Sequence, residues 1–219
     1  MYNIFMQTYP AFLEATVVTL KLTITSLLLA MILGLIIAFF KISKNRILYK
    51  IAQLYITVIR GTPLIVQLMF FYFGLIELVV LPAFWAGSLA LAIHAGAYIA
   101  EIFRGAIQSI DSGQMEAARS LGMSKMLAMR RIIMPQAFQR AVPPLGNQFI
   151  IGLKDSSLVA YLGVPEIYGT ALYEQAANYN PFETYLVAGM YYLVLVIFFT
   201  YLVNKLEIRL KVEDEVSVG

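Results

Sequence analysis

Apolar residues run through this chain in blocks too long for an ordinary core helix. Five stretches, roughly 12–40, 53–80, 84–103, 141–163 and 185–204, each supply about the 20 apolar residues that a helix needs to cross a hydrocarbon layer. The pattern predicts an all-α integral membrane fold with five transmembrane helices in a single domain covering residues 1–219. Met1 to Pro10 carries no basic region and no small-residue cleavage site, so the first stretch predicts a retained span and not a removed signal.

Composition strengthens this picture. Of 219 residues, 60% are hydrophobic and only 13% charged, and the mean hydropathy is +0.77. A water-exposed surface needs roughly twice that charge density, so lipid must solvate much of this chain. The absence of cysteine rules out disulfides and thiolate chemistry, and His94, the single histidine, cannot build a metal cluster alone. No metal site and no cofactor is expected.

A net charge of +3 and a pI near 9.0 follow from where the cations stand, not from a nucleic-acid partner, and none is expected. Segment 41–50 holds Lys41, Lys44, Arg46 and Lys50; segment 104–140 holds Arg104, Arg119, Lys125, Arg130, Arg131 and Arg140; the tail holds Lys205, Arg209 and Lys211. Residues 1–11, 81–83 and 164–184 hold no lysine or arginine. By the positive-inside rule the N-terminus lies outside and the C-terminus in the cytoplasm, which requires an odd number of spans. Only Lys21, Arg60 and Lys154 remain within the spans.

Two connections carry more than a turn. Outside, 164–184 contains a helix-compatible core from Ile167 to Ala177. Inside, 104–140 is the longest polar connection. Asp111 and Gln114 have capping-box spacing and Gly122 is a natural left-handed stop, which predicts a short helix over 112–121. Ser124 caps a second helix running to about Ile133, before Pro135. The pattern suits either a compact knob offered to a cytoplasmic partner or a basic loop lying on the membrane surface.

Glu116-Ala117-Ala118, three residues, Gly122, nine residues, then Ile132-Ile133-Met134-Pro135 resembles the EAA loop of ATP-binding-cassette importer permeases, E-A-A-x3-G-x9-I-x-L-P. The one departure is Met134 where leucine is usual. Four further stretches are similar to the polar amino-acid uptake branch of that family, of histidine, glutamine and arginine type. They are Thr19 to Leu27, Arg60-Gly61-Thr62-Pro63-Leu64 with Gln67, Ala97 to Ala106, and Lys154-Asp155-Ser156-Ser157-Leu158.

The resemblance implies a type I permease fold with a cytoplasmic coupling helix, in a bacterial or archaeal inner or plasma membrane. It also implies a pair of separate ATPase subunits, a second permease subunit (identical or paralogous) and an external amino-acid-binding protein. Glu116, Ala117, Ala118, Gly122 and Pro135 would then carry the coupling to the ATPase. No G-x-x-x-x-G-K-[ST] phosphate loop occurs, so this chain is expected to be a transport subunit and not itself an enzyme.

Charged side chains inside a bilayer cost on the order of 2.5–3.5 kcal/mol on insertion scales and need a partner or a purpose. Helical spacing puts Gln67, Phe70, Gly74 and Glu77 on one face, His94, Tyr98 and Glu101 on another, and Gln148, Gly152 and Asp155 on a third. Counted from Val142, Gln148 lies about 9 Å and Asp155 about 20 Å into the membrane. Glu101 and Arg104 read as an internal pair or loop anchor, and Arg60, beside Gly61 and Pro63, as a gate-like break or a snorkelling arginine.

For an amino-acid substrate, Lys154 or backbone N–H groups at Ser156-Ser157 would hold the carboxylate. Asp155, Glu77 and Gln148 would hold an ammonium or cationic side chain, and Gln67 and His94 complete the candidate set. Acidic Glu77 and Asp155 outnumber uncompensated base on these faces, which favours basic amino acids. A second reading stays open, an ion-gradient-driven carrier or channel with Glu77, Glu101, His94 and Asp155 as a proton relay.

Overall fold

The computed structural model describes the backbone of residues 2–218 and the side chains of residues 4–210; the side chain of Lys211, counted above among the cations, lies outside the described residues. All regular structure among the described residues is helical. Helix α1 (Tyr2–Ile42) is about 60 Å long at 1.5 Å per residue and contains the whole first apolar run. It packs lengthwise on α4 (Ala83–Gln108). Small residues permit that closeness: Ala30 and Ala38 of α1 and Ala92 of α4 are buried in one cluster. A Cβ placed on Gly34 would stand 2.6 Å from Ile99 Cγ2, so any larger residue there would force the two helices apart.

Between them runs α2 (Arg46–Gly61), begun by Asn45, whose side chain accepts from the Ile47 N–H. Its apolar face buries Ala52 and Ile56, and the Tyr55 hydroxyl donates to Ile93 O at 2.5 Å. The run 53–80, expected as one span, is instead broken. Thr62 is extended (φ −121°, ψ 143°), as a residue before proline prefers, and Pro63 offers no N–H to continue the helix. Helix α3 (Leu64–Met69) then leaves at a bend of 107° and widens into a π turn over Phe70–Gly74.

After α4, α5 (Ser112–Ser120) is capped by Asp111, whose side chain accepts from the Gly113 N–H at 2.6 Å. Gln114 does not close the expected capping box; it forms a reciprocal amide pair with Gln136. The helix ends in a Schellman turn: Met123 N–H donates to Ala118 O, Gly122 N–H to Arg119 O, and Gly122 has φ +85°.

Ser124 caps α6 (Lys125–Ala128) by accepting from Leu127 N–H. The helix does not stop before Pro135. It continues through a π turn, Met129–Ile133, into α7 (Met134–Asp155). The widened turn, in which Met134 N–H reaches Met129 O, relieves the clash that a proline ring makes with the preceding turn.

After α7 the chain tightens into a 3-10 segment, Ser156–Leu162, then forms α8 (Ile167–Asn178) and α9 (Pro181–Val218). Fully buried Glu166 joins three elements here. Its carboxylate accepts from Gly169 N–H at 2.7 Å and from the Tyr192 hydroxyl at 2.5 Å, while Thr19 of α1 accepts from Ile167 N–H. Burial pushes the Glu166 carboxyl above its ordinary value, opposed by the hydrogen bonds from Tyr192 and from the Tyr168 and Gly169 N–H groups.

Among the described residues, three helices, over Ile4–Ile42, Ala83–Gln108 and Pro181–Leu210, are long and apolar enough to cross a membrane, and the bent pair α2–α3 makes a fourth if taken as one span. Helix α7, diluted by Arg140, Asn147, Gln148, Lys154 and Asp155, is not in that set.

Candidate functional site

Helices α4 and α7 face each other across a polar cleft, and the α2–α3 break packs against α4 beside it. His94 and Tyr98 of α4, and Gln148, Ile151 and Asp155 of α7, line a space of about 260 Å³. On its α1 side, His94, Gln148 and Asp155 also border a smaller pocket with Thr23 and Ser26. The i, i+4 and i, i+7 spacings aim both helix faces into the same space.

Two opposite charges attend this cleft without a hydrogen bond or ion pair to protein, although Lys154 acts on Asp155 through space. Among the described residues, no hydrogen-bond donor or ion-pair cation lies within bonding distance of the Asp155 carboxylate. Arg60, at the end of α2, rests its guanidinium over the Tyr98 ring, 5.1 Å from the centroid, and forms no ion pair among the described residues. A cation stacked on an aromatic face keeps its N–H edge free for an anion. By contrast Arg104 spends its charge on Glu101, with N–O distances of 2.9 and 2.7 Å.

Behind the cleft wall, buried Gln67 spans the break. Its amide nitrogen donates to Ile59 O (2.9 Å), Thr62 O (3.1 Å) and Thr62 Oγ1 (2.8 Å). Its oxygen meets His94 Nδ1 at 3.1 Å.

Of the substrate residues expected from sequence, the structure brings Gln148, Asp155 and His94 together, with Gln67 one layer behind. Lys154 is exposed and does not line the cleft. The Ser156 hydroxyl donates to Leu153 O at 2.8 Å, and its N–H is taken by Gly152 and Lys154 carbonyls, so that backbone group is not free for a carboxylate. Ser157 lies half-buried in the 3-10 segment. Glu77 is exposed in the turn after the π segment. The widened turn rotates everything beyond Phe70 off the register that grouped Gln67 with Glu77.

Thr23 and Ser26 stand in the sequence only within the family-like stretch Thr19 to Leu27 and not as site candidates, because short hydroxyls look like ordinary helix filler. Tyr98 and Arg60 were visible as polar interruptions, but their stacking depends on the 107° bend.

The second functional element is the loop 104–140. Helix α5 turns Met115 and Ala118 inward, Met115 onto the cluster built on Ile110 and Ile133. Glu116, Ala117 and Gly122 are exposed, as is Pro135. Leu121 and Met126, at the tip, are 84% and 77% exposed, and Arg119 ties the turn by donating to Met123 O.

Long apolar helices around a polar cleft, with a capped helical knob at one end, define a membrane transport subunit. The sequence profile of the binding-protein-dependent transport system inner membrane component family matches residues 30–212, and the chain belongs to that family. Similar proteins include the arginine transport system permease protein ArtQ of Bacillus subtilis, 39% identical over 94% of each chain. The glutamine transport system permease protein GlnP of Escherichia coli K12 is 36% identical over 93% of this chain and 94% of its own.

Among solved structures, an amino acid ABC transporter with histidines is 41% identical with a TM-score of 0.89, covering 95% of this chain and 98% of that one. The MetNI methionine ABC transporter, inward facing, is 20% identical with a TM-score of 0.79 over 93% of this chain and 98% of that one, and shares the fold. The chain is thus an integral-membrane permease subunit of an ABC transporter with the type I permease fold, as its EAA loop led one to expect. The ion-gradient carrier finds no support among these relatives.

Proposed function

We propose that this chain moves polar, preferentially basic, L-amino acids into the cell as the membrane subunit of an ABC importer. The observation that carries this is an Asp155 carboxylate and a Tyr98-stacked Arg60 guanidinium beside one cleft, neither of them hydrogen-bonded or ion-paired to protein. An α-amino acid presents an ammonium and a carboxylate, and these two groups complement it. Asp155 and Gln148 take the ammonium or a cationic side chain, and Arg60 takes the carboxylate role that Lys154 and the Ser156-Ser157 backbone were expected to fill. The names of the arginine and glutamine permeases similar to this chain support an amino-acid cargo.

In this reading five spans cross a bacterial or archaeal inner or plasma membrane, α7 supplying the fifth with its polar face toward the pathway. The N-terminus lies outside and the C-terminus in the cytoplasm. One chain leaves Arg60, Asn147 and Lys154 exposed, so a second permease subunit, identical or paralogous, covers them. An external binding protein delivers substrate to the outer face near α8. A pair of ATPase subunits receives the knob, with Glu116 meeting a basic groove, exposed Ala117 permitting close approach, buried Ala118 seating α5 on its support in place of the contact expected of it, and Gly122 and Pro135 shaping the turn and its support. Exposed Leu121 and Met126 at the tip favour docking over a solvated loop.

Uptake into proteoliposomes holding the co-purified ATPase tests this. Asp155→Asn should abolish most uptake of arginine, lysine and histidine. Unchanged uptake of all three in both Asp155→Asn and Glu77→Gln would reject the basic preference. Substrate accumulation by the chain without an ATPase, under an ion gradient alone, would reject the importer reading.

A further inference from the structure

Gln67 sits where the broken span and the cleft touch, and its hydrogen bonds determine more than the bend. Ile59 O and Thr62 O are carbonyls and only accept. The Thr62 hydroxyl already donates to Val58 O at 2.9 Å, so toward Gln67 it also accepts. Three acceptors around one end of the amide require that end to be the NH₂ group, because a flipped amide would place Oε1 against three oxygens. The oxygen of Gln67 therefore faces His94 Nδ1.

An amide oxygen cannot donate, so Nδ1 must carry a proton. A neutral imidazole carries only one, which leaves Nε2 as a bare lone pair. No group among the described residues hydrogen-bonds to Nε2, and the ring lines the cleft.

We propose that Gln67 is a positioning residue that holds His94 in its Nδ1–H tautomer, making Nε2 a hydrogen-bond acceptor for N–H groups of the substrate. The proposal rests on the reading of this cleft as the substrate site and narrows its cargo. Ammonium, guanidinium and carboxamide groups can donate to Nε2. A side-chain carboxylate meets a lone pair there and a second carboxylate at Asp155, so acidic amino acids are refused. The amide that staples the 107° bend thus also determines what the cleft accepts, and straightening the broken span would release the ring.

The chain contains one histidine, so ¹⁵N-histidine labelling of the full-length protein in lipid nanodiscs reports this ring alone. The expected spectrum has a protonated Nδ1 and an unprotonated Nε2. Gln67→Met, which keeps the volume and removes the acceptor, should shift the proton to Nε2 in part or in full. Saturating L-arginine should displace the Nε2 resonance while Nδ1 stays protonated, and L-glutamate should leave it unmoved. An Nε2–H or doubly protonated wild-type ring overturns the proposal, as does a Gln67→Met ring with unaltered tautomer. The wild-type spectrum alone decides the tautomer if Gln67→Met does not assemble.

An Nε2 resonance indifferent to L-arginine overturns its role as ligand acceptor. Uptake by the complete transporter keeps the two levels apart. Unchanged uptake in His94→Ala rejects the cleft as the substrate site, whereas impaired uptake together with an Nε2–H wild-type ring rejects the tautomer proposal alone.

Discussion

The helical knob of residues 104–140 and the polar cleft differ in how their parts are brought together. Every contact that shapes the knob's turns is local: Asp111 to Gly113, Ser124 to Leu127, Met123 N–H to Ala118 O. The cleft draws on residues far apart in the chain. Gln67 and His94 are 27 positions apart, and Arg60 meets Tyr98 only because the chain folds back at Pro63. A knob built from local rules keeps its shape as a rigid handle, whereas a cleft built across a break can open and close. In the importer proposed above, the first would transmit force and the second respond to it.

That division predicts separable defects, and the largest belongs to the cleft. Asp155→Asn removes a charge that no protein group hydrogen-bonds or ion-pairs, the adjacent Lys154 acting on it only through space. Truncating a buried charge contact costs about 2–5 kcal/mol, so uptake should fall on the order of 30-fold or more. The knob should still engage the ATPase, and basal ATP hydrolysis by the complex should persist. Loss of both together would mean that the two regions are not separable.

The converse defect comes from Ala118, buried under the knob with 5% exposure. Ala118→Leu overfills that site at about 1–3 kcal/mol and tilts α5 off its support. Substrate-stimulated ATP hydrolysis and uptake should drop about tenfold, while binding of L-arginine to the cleft, read at the His94 ring, stays at the wild-type level. A milder version is Gly122→Ala. At φ +85° a Cβ costs about 1 kcal/mol, with open space around it. Coupling should fall by only a few-fold, and a wild-type rate would show that the Schellman turn is not needed for docking.

The same contrast explains what could be read in the sequence. The expected helix over 112–121 is observed as Ser112–Ser120 and the expected outer helix from Ile167 to Ala177 as Ile167–Asn178, because caps and a left-handed glycine are specified within a few residues. The EAA spacing likewise survives as a local pattern, and it pointed to the right family. The failures are long-range or depend on a change of helical type. Pro135 looked like a stop until the π turn before it absorbed the ring, and Gln67 with Glu77 looked like one face until another π turn rotated it.

His94, Gln148 and Asp155 were identifiable as polar residues at costly depth, but their convergence was not. Nor was the role of Gln67, because nothing in a linear pattern says that one amide will meet three acceptors on one side and an imidazole on the other.

The latch at Glu166 combines both modes: a local cap on Gly169 N–H and a distant bond to Tyr192. Burial raises the carboxyl above its ordinary 4.5, so the folded chain holds the proton more tightly than the unfolded one. Stability contributed by this group is fully present below pH 4.5 and is lost as pH rises through the folded value. Glu166→Gln keeps an oxygen to accept from Gly169 N–H, puts its NH₂ where it can donate to the Tyr192 hydroxyl oxygen, and carries no titratable proton. It should remove this part of the pH slope of thermal unfolding, raise the midpoint slightly at neutral pH and change uptake by less than about twofold, as expected for a change that keeps its hydrogen bonds. A Glu166→Gln slope matching the wild type would mean that the latch does not titrate in this range. A large uptake defect at unchanged stability would mean that the carboxylate charge itself takes part in transport, and the latch would then belong with the cleft and not with the scaffold.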